Sequence, residues 1–257
     1  MPFDWSDKIV FITGASSGIG RALAIELGRR GATIGLRARR AETLSEIQRE
    51  VEDAGARALV LAADVRHADA VRAAATQLRE KFGRIDVLIA NAGIGATTDA
   101  RALEAKEVAD VLGTNVMGAV NSVTAVLPEM IEKRSGQLVV ISSLAAYRGL
   151  PKSGAYCASK AAVSAFFESL RVDLRGTGVN VTIIHPGFIR TPLTEGRSAK
   201  MPFFMELDDA IRKIIRAIEE RRKSYAFPWQ LATLVRIGMV LPASWYDKVA
   251  SRKSFRE

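Results

Sequence analysis

Tyr156 and Lys160, in the run Tyr156-Cys157-Ala158-Ser159-Lys160, stand four residues apart, a spacing that places two side chains on one face of a helix. A free phenol titrates near about 10 and is a poor acid or base at neutral pH, but an ammonium beside it favours the ionised form and makes proton transfer accessible. The pair alone is weak evidence, because Tyr-x-x-x-Lys is common on solvated helix faces. The run Thr13-Gly14-Ala15-Ser16-Ser17-Gly18-Ile19-Gly20 changes its meaning. Gly14 permits a tight turn out of a strand, Gly18 lets backbone N–H groups approach a pyrophosphate, and Gly20 lets the following helix pack close to the sheet. A pyridine nucleotide bound there is the partner that a Tyr/Lys proton donor needs.

The elements that must carry these groups follow from hydrophobic periodicity. Short runs rich in Val, Ile and Leu at Lys8–Thr13, Thr33–Leu36, Ala58–Ala62, Val87–Ala90, Gln137–Ser142, Asn180–His185 and Ser224–Phe227 read as strands. Between them the pattern turns helical over Gly20–Arg30, Ala41–Glu52, Ala68–Phe82, Leu103–Arg134 with a break near Gly113–Gly118, Ala155–Leu174 and Asp208–Arg221. Apolar strands alternating with helices imply an α/β fold: a doubly wound, Rossmann-like parallel sheet of about seven strands in three layers. Ligands then collect outside the carboxyl ends of the strands. The chain reads as one domain over residues 1–257, with no internal repeat or linker.

From Lys8 to about Pro192 the chain resembles the short-chain dehydrogenase/reductase family. The resemblance rests on the glycine run, Asn91-Ala92-Gly93, Asn115, the pair Ser142-Ser143, Tyr156-x-x-x-Lys160 and Pro186-Gly187, in the family's order. It implies a nicotinamide cofactor and interconversion of a carbonyl with an alcohol. Tyr156 is then the acid in reduction and the base in oxidation, and Lys160 lowers its pKa and holds the nicotinamide ribose. Ser143 bonds the substrate oxygen, with Ser142 as the fallback, and Asn115 holds a relay water. The cofactor would lie on Gly14, Ser16, Ser17, Gly18, Ile19 and Gly20. By the same resemblance Asp64 and Val65 hold adenine, Asn91, Ala92 and Gly93 line the adenosine side, and Pro186, Gly187 and Thr191 run along the nicotinamide beside Tyr156 and Lys160. A homo-oligomer, dimer or tetramer, is also implied.

Cofactor choice is legible after the second strand, in Leu36-Arg37-Ala38-Arg39-Arg40. An acid there would bind the ribose hydroxyls of NAD, whereas an arginine accommodates the extra phosphate of NADP. The family's acid position falls at Ala38, and Arg39 is placed to stack on adenine and pair with phosphate. NADP(H) is the expected cofactor. The alternative is that these arginines only begin a solvated helix.

Net charge is +9, and residues 197–257 carry 13 Lys/Arg against 7 Asp/Glu, or +6 of that total. No aromatic-interleaved basic stripe or DNA-binding motif appears, so a nucleic-acid partner is not expected. The single cysteine, Cys157, excludes an intrachain disulfide, and the amino terminus lacks a signal-peptide layout. A cytoplasmic enzyme is the expectation. His67 and His185 have no partners at metal-ligand spacing, so no metal is expected. The family resemblance also implies a lid over about 192–207; its Met201-Pro202-Phe203-Phe204-Met205 suits apolar carbonyl substrates or plain core packing. The tail over about 228–257 reads as an amphipathic helix on which Trp229, Leu231, Leu234, Ile237 and Leu241 share an apolar side. Packing against the pocket or another subunit is the plainer role, and a lipid surface the other. Two further function classes remain: a cofactor-binding redox sensor or scaffold without turnover, and a basic interaction protein on the same fold.

Overall fold

A computed structural model describes residues 3–194 and 203–250. Seven strands, β1 (Ile9–Thr13), β2 (Thr33–Ala38), β3 (Ala58–Ala62), β4 (Val87–Ala90), β5 (Gly136–Ile141), β6 (Val179–Pro186) and β7 (Ser224–Phe227), form one parallel sheet in the order β3-β2-β1-β4-β5-β6-β7. The helices are α1 (Gly18–Arg29), α2 (Ala41–Asp53), α3 (Ala68–Phe82), α4 (Ala105–Leu112), α5 (Gly118–Glu132), α6 (Gly154–Asp173), α7 (Leu207–Glu219), α8 (Trp229–Val240) and α9 (Ala243–Ala250).

Successive strand residues point to opposite faces, and both faces are covered. Val10 and Ile12 of β1 join Leu23, Leu27, Leu44, Ile47, Ile211 and Ile214 in the layer built by α1, α2 and α7. Ile9 and Phe11 of the same strand join Val71, Leu78, Val123, Val126, Val163 and Phe167 in the layer of α3, α5 and α6. Every residue of β1 and β2 is buried, and both are apolar but for Thr13, Thr33 and Arg37. Helix α7 shows the complementary pattern: Ala210, Ile211, Ile214, Ile215 and Ile218 are buried along one stripe, and Asp208 and Asp209 sit in its first turn, where the helix dipole favours acids.

Strand order reverses between β1 and β4, so a crevice opens at their carboxyl ends. The expected bounds of these seven strands and of α1–α7 fall within two residues of those observed. Three features differ. The expected break at Gly113–Gly118 is a π-helical turn, Gly113–Met117, which joins α4 to α5 without interrupting the helical run. β2 continues to Ala38 because Arg37 is a strand residue, paired in register with Thr13 on one side and Leu61 on the other. Beyond Pro242 the tail adds α9, which the apolar pattern alone did not signal. The run Ala105–Glu132 is long and apolar enough to cross a bilayer by composition, yet half of its apolar window is buried, and α5 packs on α3 as a core helix.

Candidate active site

The glycine turn is locked to β4 by side-chain amide chemistry. Asn91, just past β4, donates from Nδ2 to the carbonyls of Thr13 (3.0 Å) and Gly14 (3.2 Å), while the N–H groups of Asn91 and Ala92 donate to Thr13 Oγ1, both at 3.1 Å. Gly14 adopts φ +69, and a Cβ there would stand 2.7 Å from Ala92 Cα. A Cβ on Gly20 would strike the Gly14 carbonyl oxygen and lie 2.5 Å from Asn91 Nδ2. The chain therefore passes closer at this crossing than any side chain permits. Helix α1 begins at Gly18 with no side-chain cap and no acid in its first turn, so its first N–H groups are left for an anion. Ser16, Ser17, Gly18 and Ile19 line the crevice there, and Thr191 faces Gly18 from the opposite wall.

Arginines dominate the next part of the crevice. Arg39 and Arg40 are exposed and line it beside Ala38, Asp64 and Val65. Arg40 Nη2 donates to the Ser16 carbonyl (3.4 Å) and Oγ (3.2 Å), which ties it to the glycine turn. Arg40 was not singled out from sequence, although it stands next to Arg39; only this contact distinguishes it from the start of a solvated helix. Arg37 is 1% exposed and donates to the carbonyls of Leu61 (3.5 Å) and Asp64 (3.1 Å). It supports the crevice from below, and its burial lowers its pKa against the opposing pull of Asp64. Burial would raise the Asp64 carboxyl, but bonds from Arg66 and the charges of Arg66 and Arg39 prevail and lower it.

At the far end, α6 carries Tyr156 half-buried and Lys160 buried. Lys160 Nζ donates to the Ile141 carbonyl at 2.8 Å and lies 5.7 Å from the centroid of the Tyr156 ring. Burial pushes the Lys160 ammonium down to about 8. The two serines differ in what they touch. Ser142 is buried and its Oγ bonds the Lys160 carbonyl (3.1 Å) and Ser164 Oγ (2.7 Å), whereas half-buried Ser143 accepts from the Ala145 N–H (3.1 Å). Asn115 lies in the π turn, where its Oδ1 accepts from Ile94 N (2.8 Å) and its Nδ2 donates to Ile94 O (3.0 Å) and Ser159 Oγ (2.9 Å). Its amide thus joins the π turn to the loop after β4 and to α6. A Cβ on Gly93 would sit 3.3 Å from Asn115 Oδ1 and 3.5 Å from Lys160 Nζ.

One crevice of about 310 Å³ is lined by the glycine turn, Arg39, Arg40, Asp64, Val65, Asn91 to Ile94, Ser142, Ser143, Tyr156, Lys160, Pro186, Gly187 and Thr191. Every expected site residue except Gly20 and Asn115 lines it; Gly20 is buried beneath its floor, and Asn115 is buried behind it. Leu193 and Thr194, from the start of the expected lid, line it as well, and so do Ile94 and Thr114, which were not anticipated. Among the described residues no cluster of His, Cys, Asp or Glu could hold a metal ion. Cys157 is buried, accepts from Leu150 N at 3.3 Å, and has its pKa raised by burial. Of the lid, Met201 and Pro202 lie outside the described residues, while Met205 bridges to Ile189 and Arg190 stacks 5.0 Å from Phe204.

His185, at the end of β6, is 5% exposed and its ring lies 5.1 Å from that of Tyr147, with no partner for its Nδ1 among the described residues. Burial, then the cations Arg236 and Lys160, lower its pKa from 6.5 to about 4. The unfolded chain therefore takes up a proton through the upper end of that window while the folded protein does not. Stability should fall as pH drops between these values, by roughly 3 kcal/mol in full. Urea midpoints from pH 7 to 4 should show that slope, and His185→Phe should lack it.

The family described as short chain dehydrogenase matches residues 8–202. An uncharacterized oxidoreductase of Myxococcus xanthus is 44% identical over 97% of this chain and 98% of its own length. An 11-beta-hydroxysteroid dehydrogenase A of Sesamum indicum is 39% identical over 76% of this chain, though only 56% of the sesame protein is covered. A 3beta-hydroxysteroid dehydrogenase of Mediterraneibacter gnavus is 37% identical over 76% of this chain and 71% of its own. Among solved structures, a short chain dehydrogenase/reductase from Burkholderia phymatum in complex with NAD superposes with a TM-score of 0.80 at 27% identity, covering 99% of both chains. A metagenomic short-chain oxidoreductase in complex with NADP gives 0.73 at 31% identity over 84% of this chain and 92% of that one. The chain belongs to the short-chain dehydrogenase/reductase family. It is an oxidoreductase.

Proposed function

We propose that this protein interconverts an apolar ketone or aldehyde with its alcohol, using NADP(H). The observation that carries the reading is that one crevice has an arginine pair at one end and the Tyr156, Lys160 and Ser143 side chains at the other. The glycine crossing supports a dinucleotide there, since side chains at Gly14 or Gly20 would fill the space the turn requires. Ser16, Ser17, Gly18 and Ile19 would hold the pyrophosphate, and Asp64, Val65 and Asn91 to Gly93 the adenosine. Pro186, Gly187 and Thr191 would border the nicotinamide. When bound, the nicotinamide supplies the hydride in reduction and accepts it in oxidation.

In reduction, Tyr156 Oη gives its proton to the carbonyl oxygen, and in oxidation it takes the alcohol proton back. Lys160 supplies the cation that makes the phenol acidic, and its bond to Ile141 O keeps it on the same side of α6. Ser143 already accepts from Ala145 N–H, which leaves its own O–H free to donate to the oxygen where charge develops. Ser142 spends its hydroxyl on α6 and is not needed as the fallback. Asn115 acts first by clamping Ile94 to Ser159; a relay water is its second assigned role.

Arg39 and Arg40 support NADP, since one side chain is exposed on the crevice wall and the other braces on Ser16. The solved relatives include both an NAD and an NADP complex, so the preference rests on these two residues. Arg39→Ala should weaken NADPH binding about 10- to 100-fold, the strength of a charge-assisted phosphate contact, and leave NADH nearly unchanged. Fluorescence titration with both cofactors reads this directly, and equal affinity in the parent protein would overturn the preference. Exposed Leu193 on the crevice wall, with exposed Phe203 and Phe204 of the expected lid segment, favours an apolar substrate, as do the hydroxysteroid names of two relatives. NADPH consumption across aldehydes, ketones and ketosteroids tests the activity. Turnover of charged or highly polar carbonyls alone would remove the apolar assignment, and NADPH binding without any turnover would favour the sensor class.

A further inference from the structure

Helix α8 is apolar on two sides. Leu231 and Ala232 are buried, packing with Leu144, Tyr147, Phe188 and Val235 at the nicotinamide end of the crevice. Trp229, Leu234, Ile237 and Val240 are 72%, 54%, 53% and 82% exposed. The apolar side expected from sequence is thus divided: at about 100° per residue Leu231 faces away from Trp229 and Ile237, so one set serves the core and the other faces outward. On α9, Trp245 and Val249 extend the outward set at 65% and 43% exposure. Scattered single exposures do not account for six large apolar side chains on two consecutive helices.

The platform is held in place. Arg148 donates to the carbonyls of Gly238 and Leu241 and stacks 3.9 Å from the Tyr246 ring, and Tyr246 Oη donates to Gly149 O at 2.5 Å. The corner between α8 and α9 is therefore bound to the loop that follows Ser143.

We infer that the outer face of α8 and α9 docks the protein on an anionic lipid bilayer. The charge distribution selects this occupant. Exposed Arg236 and Lys248 lie on the two helices against one acid, Asp247, and the sequence that follows, residues 251–257, adds three Lys/Arg and one Glu. A second copy would meet this face with the same cationic excess, whereas an anionic headgroup layer complements it and the acyl boundary receives the apolar side chains. Trp229 and Trp245, large and amphipathic, suit the headgroup boundary.

The test is co-sedimentation of the full chain with phosphatidylcholine vesicles with and without phosphatidylglycerol. Binding is expected on the phosphatidylglycerol vesicles. Trp229→Ser with Ile237→Ser and Val240→Ser, all at exposed positions, should weaken it at least about tenfold with an unchanged melting temperature. Arg236→Gln with Lys248→Gln should weaken it by roughly fivefold per charge. No binding by the intact protein, or binding indifferent to both variants, overturns the inference. So does a triple Ser variant that changes the sedimentation mass while the parent ignores vesicles, because the face would then be a subunit interface.

Discussion

Tyr156→Phe should retain the fold and NADPH affinity and lose about 10²- to 10⁴-fold in turnover, the range general acid–base catalysis contributes. The substitution removes one oxygen from a half-buried ring and leaves the ring beside Lys160. Lys160 keeps its bond to Ile141 O, so the α6 contacts survive. What disappears is the only proton that the proposed reaction places at the substrate oxygen. Ser143 can still polarise that oxygen, which is why a residual rate is expected rather than none. Steady-state kinetics with a responsive carbonyl, paired with NADPH titration, separates the two properties. Turnover within tenfold of the parent would remove Tyr156 from the chemistry, and lost NADPH binding would show that its role is structural.

The second large effect is expected at Gly20. An alanine there drives its Cβ into the Gly14 carbonyl and the Asn91 amide. Neither neighbour is the loose end of a flexible chain: one is backbone and the other holds two carbonyls of the β1 turn. Relief requires moving α1 away from β1 or breaking the Asn91 bonds. Overpacking together with a lost buried hydrogen bond amounts to roughly 3 kcal/mol or more. Gly20→Ala should therefore lower the melting temperature and weaken dinucleotide binding at least about tenfold. Gly149→Ala is the matching control: a Cβ there meets nothing within 4 Å, and neither property should change. Equal behaviour of the two variants would show that the crossing is looser than described.

Much of the site was legible because its chemistry is local in sequence. The glycine run carries its own turn requirements, and the i, i+4 relation of Tyr156 and Lys160 is a property of any helix. Strands buried on both faces advertise themselves as continuous apolar runs, which is why β1 and β4 were readable nearly to the residue. The π turn at Gly113–Met117 was read as a break, since glycines and Asn115 weaken helix propensity whether the helix stops or only widens. Arg37 was read with its exposed neighbours because nothing local separates an arginine buried in an interior strand from one on a surface.

Contacts between distant segments were the part that folding had to decide. Ser142 and Ser143 are chemically identical and adjacent, and only the position of α6 commits the first to Lys160 and Ser164 and leaves the second at the crevice. Arg40 joins the crevice through Ser16, 24 residues away, and Asn115 through Ile94 and Ser159. The tail divides along the same line: its apolar content is written in the chain, but which residues face Leu144 and which face outward depends on where α8 meets β7 and the residues just after β6. Residue type and spacing are enough to name a local reaction chemistry, whereas burial is a property of the whole packing and has no local signature.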